Sequence, residues 1–154
     1  MFGTMIRLSW QCKEFSALSN EELYCILRLR AEVFIVEQEC IYQDIDNSDQ
    51  VAVHMLGRHE EKLVCYARLL PPGEKYPAAS IGRVVTSQRE RRGGHGNQLM
   101  ARSIAYCEEK WPGKGLNISA QQYLESFYQE MGFVTASSPY LEDGIAHVRM
   151  TRDT

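Results

Sequence analysis

The chain has 154 residues, 44% of them hydrophobic and 24% charged, with a formal net charge of −3 at pH 7. This is enough apolar material for one domain with a real core, read as spanning 1–154, and too little chain for two. The acidic balance argues against a nucleic-acid binder, whose affinity comes from many Lys and Arg facing phosphates, so any anion site must be local.

The opening MFGTMIRLSW has no apolar run of signal-peptide length, and nowhere is the chain apolar for as long as a membrane span requires. A soluble, cytoplasmic protein without membrane contact is expected, with Met1 and Met5 both serviceable as translation starts. MIRLSWQC, residues 5–12, alternates apolar and polar positions as a strand does. LSNEEL then offers Ser19 or Asn20 as N-cap with acids in the first turn, and the spacing predicts a helix over Glu21–Val36. Its apolar stripe, Leu23, Ile26, Leu27 and Phe34 widened by Leu29 and Val33, implies burial on more than one side. Arg30 falls within that stripe, and an interior cation needs a partner; Glu37 or another acid is expected.

VAVHMLGRHEEKLVCYARLLPP reads as a hairpin with a polar turn near His59–Lys62, closed by Pro71 and Pro72. SIGRVVT is a short apolar strand, and from Gly96 the positions Leu99, Met100, Ser103, Ile104 and Cys107 form one helical face that Pro112 and Gly113 end. GLNISA reads as a buried strand, QQYLESFYQEMGF as a short helix stopped by Gly132, and GIAHVRMT as a last strand. Strand, helix, three strands, helix, strand, helix and one or two further strands make a layered α/β domain.

The five cysteines, Cys12, Cys25, Cys40, Cys65 and Cys107, are scattered and never spaced C-x-x-C, so they read as reduced, buried thiols rather than a disulfide framework or a zinc site. DIDNSD, Asp44 to Asp49, resembles the front of a calcium loop, but its sixth position is Asp49 rather than Gly and its twelfth Met55 rather than Glu. His54, His59, His95 and His147 form no H-x-x-x-H pair, and no metal is assigned.

The chemistry concentrates in RERRGGHGNQLM, residues 89–100, where a strand runs through glycines into a helix. Such an entry gathers free backbone N–H groups at the positive end of the helix dipole, and anions settle there. No Lys-Ser or Lys-Thr follows, which removes a Walker loop, and Gly94-His95-Gly96 is followed by Leu99, which removes the G-x-G-x-x-G dinucleotide fingerprint. What remains is R-x-x-G-x-G, Arg91 to Gly96. By itself it serves a plain capped helix as well as an anion site.

This hexapeptide resembles the [QR]-x-x-G-x-[GA] acetyl-CoA loop of the GNAT superfamily of N-acetyltransferases, and FYQEMGF, Phe127 to Phe133, resembles the F-Y-x-x-x-G-F helix ending that these enzymes place beside the thioester. LRLRAEVFIVEQECIYQDID, HMLG, YARLL, IGRVV, AQQYLESFYQEMGF and YLEDGIAHVRM are similar to the small ElaA-like branch of that superfamily, so the likeness runs from about Ile6 to Met150. The resemblance implies the GNAT fold, α/β or α+β by scheme. Its sheet would be a single mixed, mostly antiparallel layer of about six or seven strands, with helices on both faces and a splay between the fourth and fifth strands.

It also implies that acetyl-CoA is the donor. Its pantetheine would pair with the main chain of Val84, Val85 and Thr86, and its diphosphate would rest on amides of Arg91, Arg92, Gly93, Gly94, His95 and Gly96. Gln121 stands where many relatives carry a coenzyme-binding Asn, although capping the next helix would equally explain it. Tyr128 is the implied proton donor to the departing thiolate; its ordinary pKa of about 10 lies above but near the thiol's of about 8.5. Relatives often carry a glutamate base on the strand before this helix, but GLNISA has no acid, leaving water or Glu37, His54, Asp143 and His147 as open routes for the amine's proton. Phe34, Glu37 and Gln38, with His54 and His147, are the expected acceptor-facing residues. The implied activity is acetyl transfer to a primary amine on a small molecule or peptide, by direct attack in a ternary complex, in a monomer or homodimer that takes no nucleic acid. A CoA-binding or regulatory module without catalysis is the competing reading.

Overall fold

The computed structural model describes residues 6–154, so Met5 at the head of the expected first strand, and the choice between Met1 and Met5, lie outside the described residues. Strand β1, Ser9–Glu14, is set later in the chain than its alternation suggests, because its rungs with β2, Val53–His59, run from Ser9↔Arg58 to Glu14↔Val53. Between them, α1 covers Asn20–Arg30 and passes directly into a π-helical segment, Ala31–Glu37. One helix was expected here; the change to wider winding re-phases the side chains at the point where the helix reaches the site.

The start of α1 follows from its sequence. Ser19 Oγ accepts from the Glu22 amide at 3.1 Å, and Glu22 Oε1 accepts from the Ser19 amide at 2.9 Å, a reciprocal capping box. Glu22 also takes Lys13 Nζ at 2.9 Å, which ties the helix entry to β1.

The hairpin of β2 and β3, Lys62–Leu70, leads to β4, Ala79–Thr86, then α2, His95–Lys110, and β5, Leu116–Gln121. A single 3-10 turn precedes α3, Glu125–Gln129. The chain closes with β6, Val134–Thr135, β7, Tyr140–Glu142, and β8, Ile145–Arg152. The sheet has eight strands in the order β1-β2-β3-β4-β5-β8-β6, with β7 also paired to β8. Three strands follow α3 where one or two were expected, because segments of two and three residues carry no readable periodicity. All pairs are antiparallel except β4 with β5.

Adjacent residues of β2 show the two faces of the layer. Met55 belongs to a core with Val64, Ala67, Leu99, Met100 and Ile104, so α2 covers that side, joined by Tyr128 and Phe133 around α3. Leu56 belongs to the opposite core, where Ile26, Leu29 and Val33 of the first helix pack on Tyr66 and Val85. Helices on both faces are therefore what the strand alternation requires. Replacing Ser19 by Ala removes one arm of the capping box and is expected to cost about 1 kcal/mol in urea unfolding with an unchanged m-value. An unchanged midpoint would show that the box contributes nothing.

Candidate active site

Strands β4 and β5 share only two rungs, Ala79↔Leu116 and Ser80↔Asn117. Beyond them β4 keeps β3 as its neighbour and β5 keeps β8, so the facing edges diverge. The divergence opens a cavity of about 410 Å³ walled by Val84, Val85 and Thr86 on one side and Ile118, Ser119 and Gln121 on the other. Strand edges left in this way present main-chain donors and acceptors that another extended chain can satisfy.

The parting has a local cause. Between the pairs Tyr66↔Val85 and Arg68↔Gly82 the register shifts, so Arg83 and Val84 together stand opposite Ala67. Arg83 has φ 49°, a left-handed conformation that a side chain disfavours. Its guanidinium is anchored: Nε donates to Asp44 Oδ1 at 2.8 Å, and Nη2 to the Asp44 carbonyl at 3.0 Å and to Asp46 Oδ2 at 3.3 Å.

The same acids neutralise two buried arginines. Arg30, with no exposed surface, donates to Asp44 Oδ2 at 2.9 Å and Asp49 Oδ1 at 2.7 Å, not to Glu37. Arg68 reaches Asp46 through two bonds of 2.8 Å and Asp49 Oδ1 at 3.0 Å. DIDNSD is thus an arginine-binding loop, and among the described residues no group of three His, Cys, Asp or Glu is placed to hold a metal ion. His54 does not line the cavity, correcting its assignment to the acceptor. It is fully buried, its ring nitrogens 2.6 Å from Tyr66 Oη and 2.9 Å from the Asp49 carbonyl. Burial, helped by the Arg30 and Arg68 charges, lowers its pKa and keeps it neutral.

At the coenzyme-loop motif, Arg92 and Gly94 have φ of 71° and 75°. They turn the chain into α2, whose N-cap, Gly94, supplies no side-chain bond, so the first-turn amides have no capping partner from it. Arg91 and Gly96 line the cavity; Arg92, Gly93, Gly94 and His95 do not. The His95 ring folds inward under Gly93, where a Cβ would come within 2.6 Å of Nε2, so only its main chain remains for an anion. Arg91 forms a two-bond pair with Glu37, at 2.6 and 2.8 Å, and this pairing holds the Glu37 carboxyl below its usual range. Gln121 lines the cavity and makes no side-chain capping bond to the turn after it, which removes the capping explanation of that residue.

Tyr128 lies on α3 at the cavity wall, edge-on to Phe127 and Phe133 with ring centroids at 5.1 and 6.0 Å. Burial pushes its phenol up to about 12, so it stays protonated at neutral pH. Phe34, Glu37 and Gln38, at the end of the first helix, line the same cavity, as does His147 on β8. The structure adds Glu142 on β7, with Tyr42, Lys75 and Ser119, none of which the sequence singled out for the site. Glu142 Oε2 lies 3.3 Å from His147 Nε2, and Ser119 Oγ donates to Glu142 Oε1 at 3.2 Å. Only the β7–β8 register, Glu142↔Ile145, with Ser119↔Arg149 beside it, brings these residues together. Of the cysteines, Cys65 and Cys107 are buried as expected, whereas Cys12, Cys25 and Cys40 are half-buried. Cys40 lines the cavity, its thiol donating to the Asp143 carbonyl at 3.2 Å. Burial pushes the thiols of Cys12, Cys65 and Cys107 up to about 12, which leaves them unreactive.

A splayed parallel pair, a glycine turn into a helix at one end and a protected phenol beside the gap define an acyl-CoA-dependent acyltransferase fold. Residues 15–154 match the family model described as an acetyltransferase (GNAT) domain, and the chain belongs to that family. It is 41% identical over 148 residues to protein ElaA of Escherichia coli, covering 95% of this chain and 97% of that protein. The crystal structure of Escherichia coli ElaA superposes with a TM-score of 0.90 at 40% identity, over 95% of this chain and 99% of that one. A crystal structure of an acyl-CoA N-acyltransferase from Pseudomonas aeruginosa gives the same TM-score of 0.90 at 41% identity and the same shares, 95% and 99%. The CoA-dependent acyl-homoserine lactone synthase BjaI, solved with SAM and isopentyl-CoA, shares the fold alone, with a TM-score of 0.78 at 19% identity over 96% of this chain and 83% of that one. Among the described residues no helix is long and apolar enough to cross a membrane.

The arginine–aspartate network gives two expectations. Asp49→Ala takes one of two carboxylate partners from each of two buried guanidinium groups, leaving Arg30 with Asp44 and Arg68 with Asp46, and should cost about 3 kcal/mol in denaturant unfolding. Burial alone would raise the Asp46 carboxyl, but the Arg68 bonds and charge, the Ser48 amide and the Arg83 charge together outweigh it and hold it at about 2. A carboxyl lower in the folded than in the unfolded state contributes stability above its unfolded value and loses it as pH falls toward the folded one. Stability should therefore fall between about pH 4 and about pH 2, with Asp46→Asn flattening that limb. An unaltered acid limb would remove Asp46 from the network's stabilising groups.

Proposed function

We propose that the chain is an N-acetyltransferase that moves acetyl from acetyl-CoA to a primary amine by direct attack within a ternary complex. The observation that carries this reading is the unpaired stretch of β4 and β5, with Tyr128 beside it. The pantetheine amides would take the place of a missing strand along Val84, Val85 and Thr86, while the diphosphate draws on the first-turn amides of α2 and on Arg91. Bound this way, the thioester would be directed toward Tyr128. The family model's description and the motif R-x-x-G-x-G favour acetyl as the group transferred.

Collapse of the tetrahedral intermediate expels a thiolate, and a phenol kept protonated by burial is suited to deliver the proton. The test is thiol release from acetyl-CoA with a panel of small amines, amino acids, aminoglycosides and peptides. Tyr128→Phe should lower kcat by about 10²-fold or more while calorimetry finds the acetyl-CoA Kd unchanged. Full turnover by the Phe variant would end the donor role. A protein that binds acetyl-CoA yet releases no thiol with any amine would instead be a regulatory CoA-binding module.

A further inference from the structure

We propose that Glu142 is the group that receives the acceptor's ammonium and removes its proton, with His147 behind it as a second seat for that proton. The inference rests on the transferase reading above and assigns the acceptor side of the same cavity. It places a base on β7, where β5, with Ser119 facing the gap, carries no acid.

The hydrogen bonds fix the roles. Ser119 spends its one hydroxyl proton on Glu142 Oε1, so the 2.5 Å contact between Ser119 Oγ and Tyr140 Oη has Tyr140 as donor. Donation therefore runs from Tyr140 through Ser119 to the carboxylate and holds it in position. His147 Nδ1 lies 2.7 Å from the Ile145 carbonyl, which only accepts, so Nδ1 carries a hydrogen. In the neutral ring Nε2 is then bare and faces Glu142 Oε2 at 3.3 Å, acceptor against acceptor. One added proton between them turns that contact into a bond. The Tyr140 ring stacks on the imidazole, centroids 6.2 Å apart and planes at 24°, and keeps it there.

Access separates the two residues. The His147 side chain is 8% exposed and that of Glu142 42%, so the carboxylate meets the amine and His147 acts through it as a positioning residue. Of the other acids and histidines named from sequence, Glu37 is paired with Arg91 and His54 is sealed in the core, whereas Asp143 also lines the cavity but meets the Cys40 thiol only through its backbone carbonyl, and among the described residues its carboxylate has neither the Ser119 donor nor the histidine that Glu142 has. The charged and titratable groups around the pair are Lys75 and Tyr76 from the β3–β4 connection, Asp143 beside it, and Arg149 on β8.

In the step assigned, an acceptor ammonium gives one proton to the Glu142–His147 pair, and its nitrogen lone pair forms the C–N bond at the thioester carbonyl. Collapse breaks the C–S bond and sulfur takes the Tyr128 proton. The new amide nitrogen loses its surplus proton through water to the phenolate, and the pair returns its proton to solvent. Thioester and ammonium thus become amide, thiol and one released proton.

The experiment uses the full chain with saturating acetyl-CoA and 2-phenylethylamine, whose aryl group suits the Phe34 and Tyr42 walls, and follows kcat/KM from about pH 6 to about pH 10. Glu142→Gln keeps an acceptor oxygen for Ser119 and removes the base. It should lose about 10²-fold near neutrality and recover as pH rises and free amine accumulates, with acetyl-CoA affinity unchanged by calorimetry. His147→Gln, the second variant should the first fold poorly, should lose less and also move the pH profile. A Glu142→Gln enzyme with wild-type kcat/KM and pH profile overturns the proposal alone. Wild-type protein that binds acetyl-CoA but acylates neither 2-phenylethylamine nor any panel amine overturns the transferase reading, and this proposal with it.

Discussion

The site depends on β4 ceasing to pair with β5 after Ser80, and that depends on one arginine. Arg83 occupies a left-handed backbone position inside a strand, a conformation that costs about 1–3 kcal/mol when nothing compensates it. Asp44 compensates it with two bonds to the guanidinium, and Asp44 is itself held by Arg30 from the first helix. The helix on one face, the acidic loop and the bulge in the sheet are thereby one mechanical unit. Its product is a gap edged by the unpaired stretches of β4 and β5.

Buried charge is a costly way to hold a loop, since a hydrophobic replacement often stabilises more. Here the charges achieve something apolar packing does not. Each aspartate of the loop meets arginines from two different elements: Asp44 joins Arg30 to Arg83, Asp46 joins Arg68 to Arg83, and Asp49 joins Arg30 to Arg68. The loop is fixed in one register, and with it Cys40 and Tyr42 at the cavity wall. The wider winding of Ala31–Glu37 ends at that rim, where Glu37 grips Arg91 across the gap. The end of the first helix and the turn before α2 are therefore joined by one ion pair across the cavity.

Much of this was legible in the chain. Period-two and helical spacing located every element longer than three residues, and the R-x-x-G-x-G turn with FYQEMGF pointed to the family. Arg30 announced its need for a carboxylate by sitting on an apolar stripe. Which acid answers was not legible, because Asp44 and Asp49 reach it through a loop whose path no periodicity encodes. His54 looked available as an isolated imidazole, and only the strand register shows it sealed between Tyr66 and the Asp49 carbonyl. Glu142 went unnoticed for the opposite reason: it sits in a three-residue strand, and its meaning lies in facing Ser119 and His147 across two sheet neighbours.

If the unpaired edge of β4 and the first turn of α2 together seat the coenzyme, amide hydrogen exchange of the free and acetyl-CoA-saturated protein will show slowing confined mainly to Val84–Thr86 and to the amides from Arg91 to Asn97. Saturable binding that leaves both segments exchanging at their free rates would place the coenzyme elsewhere.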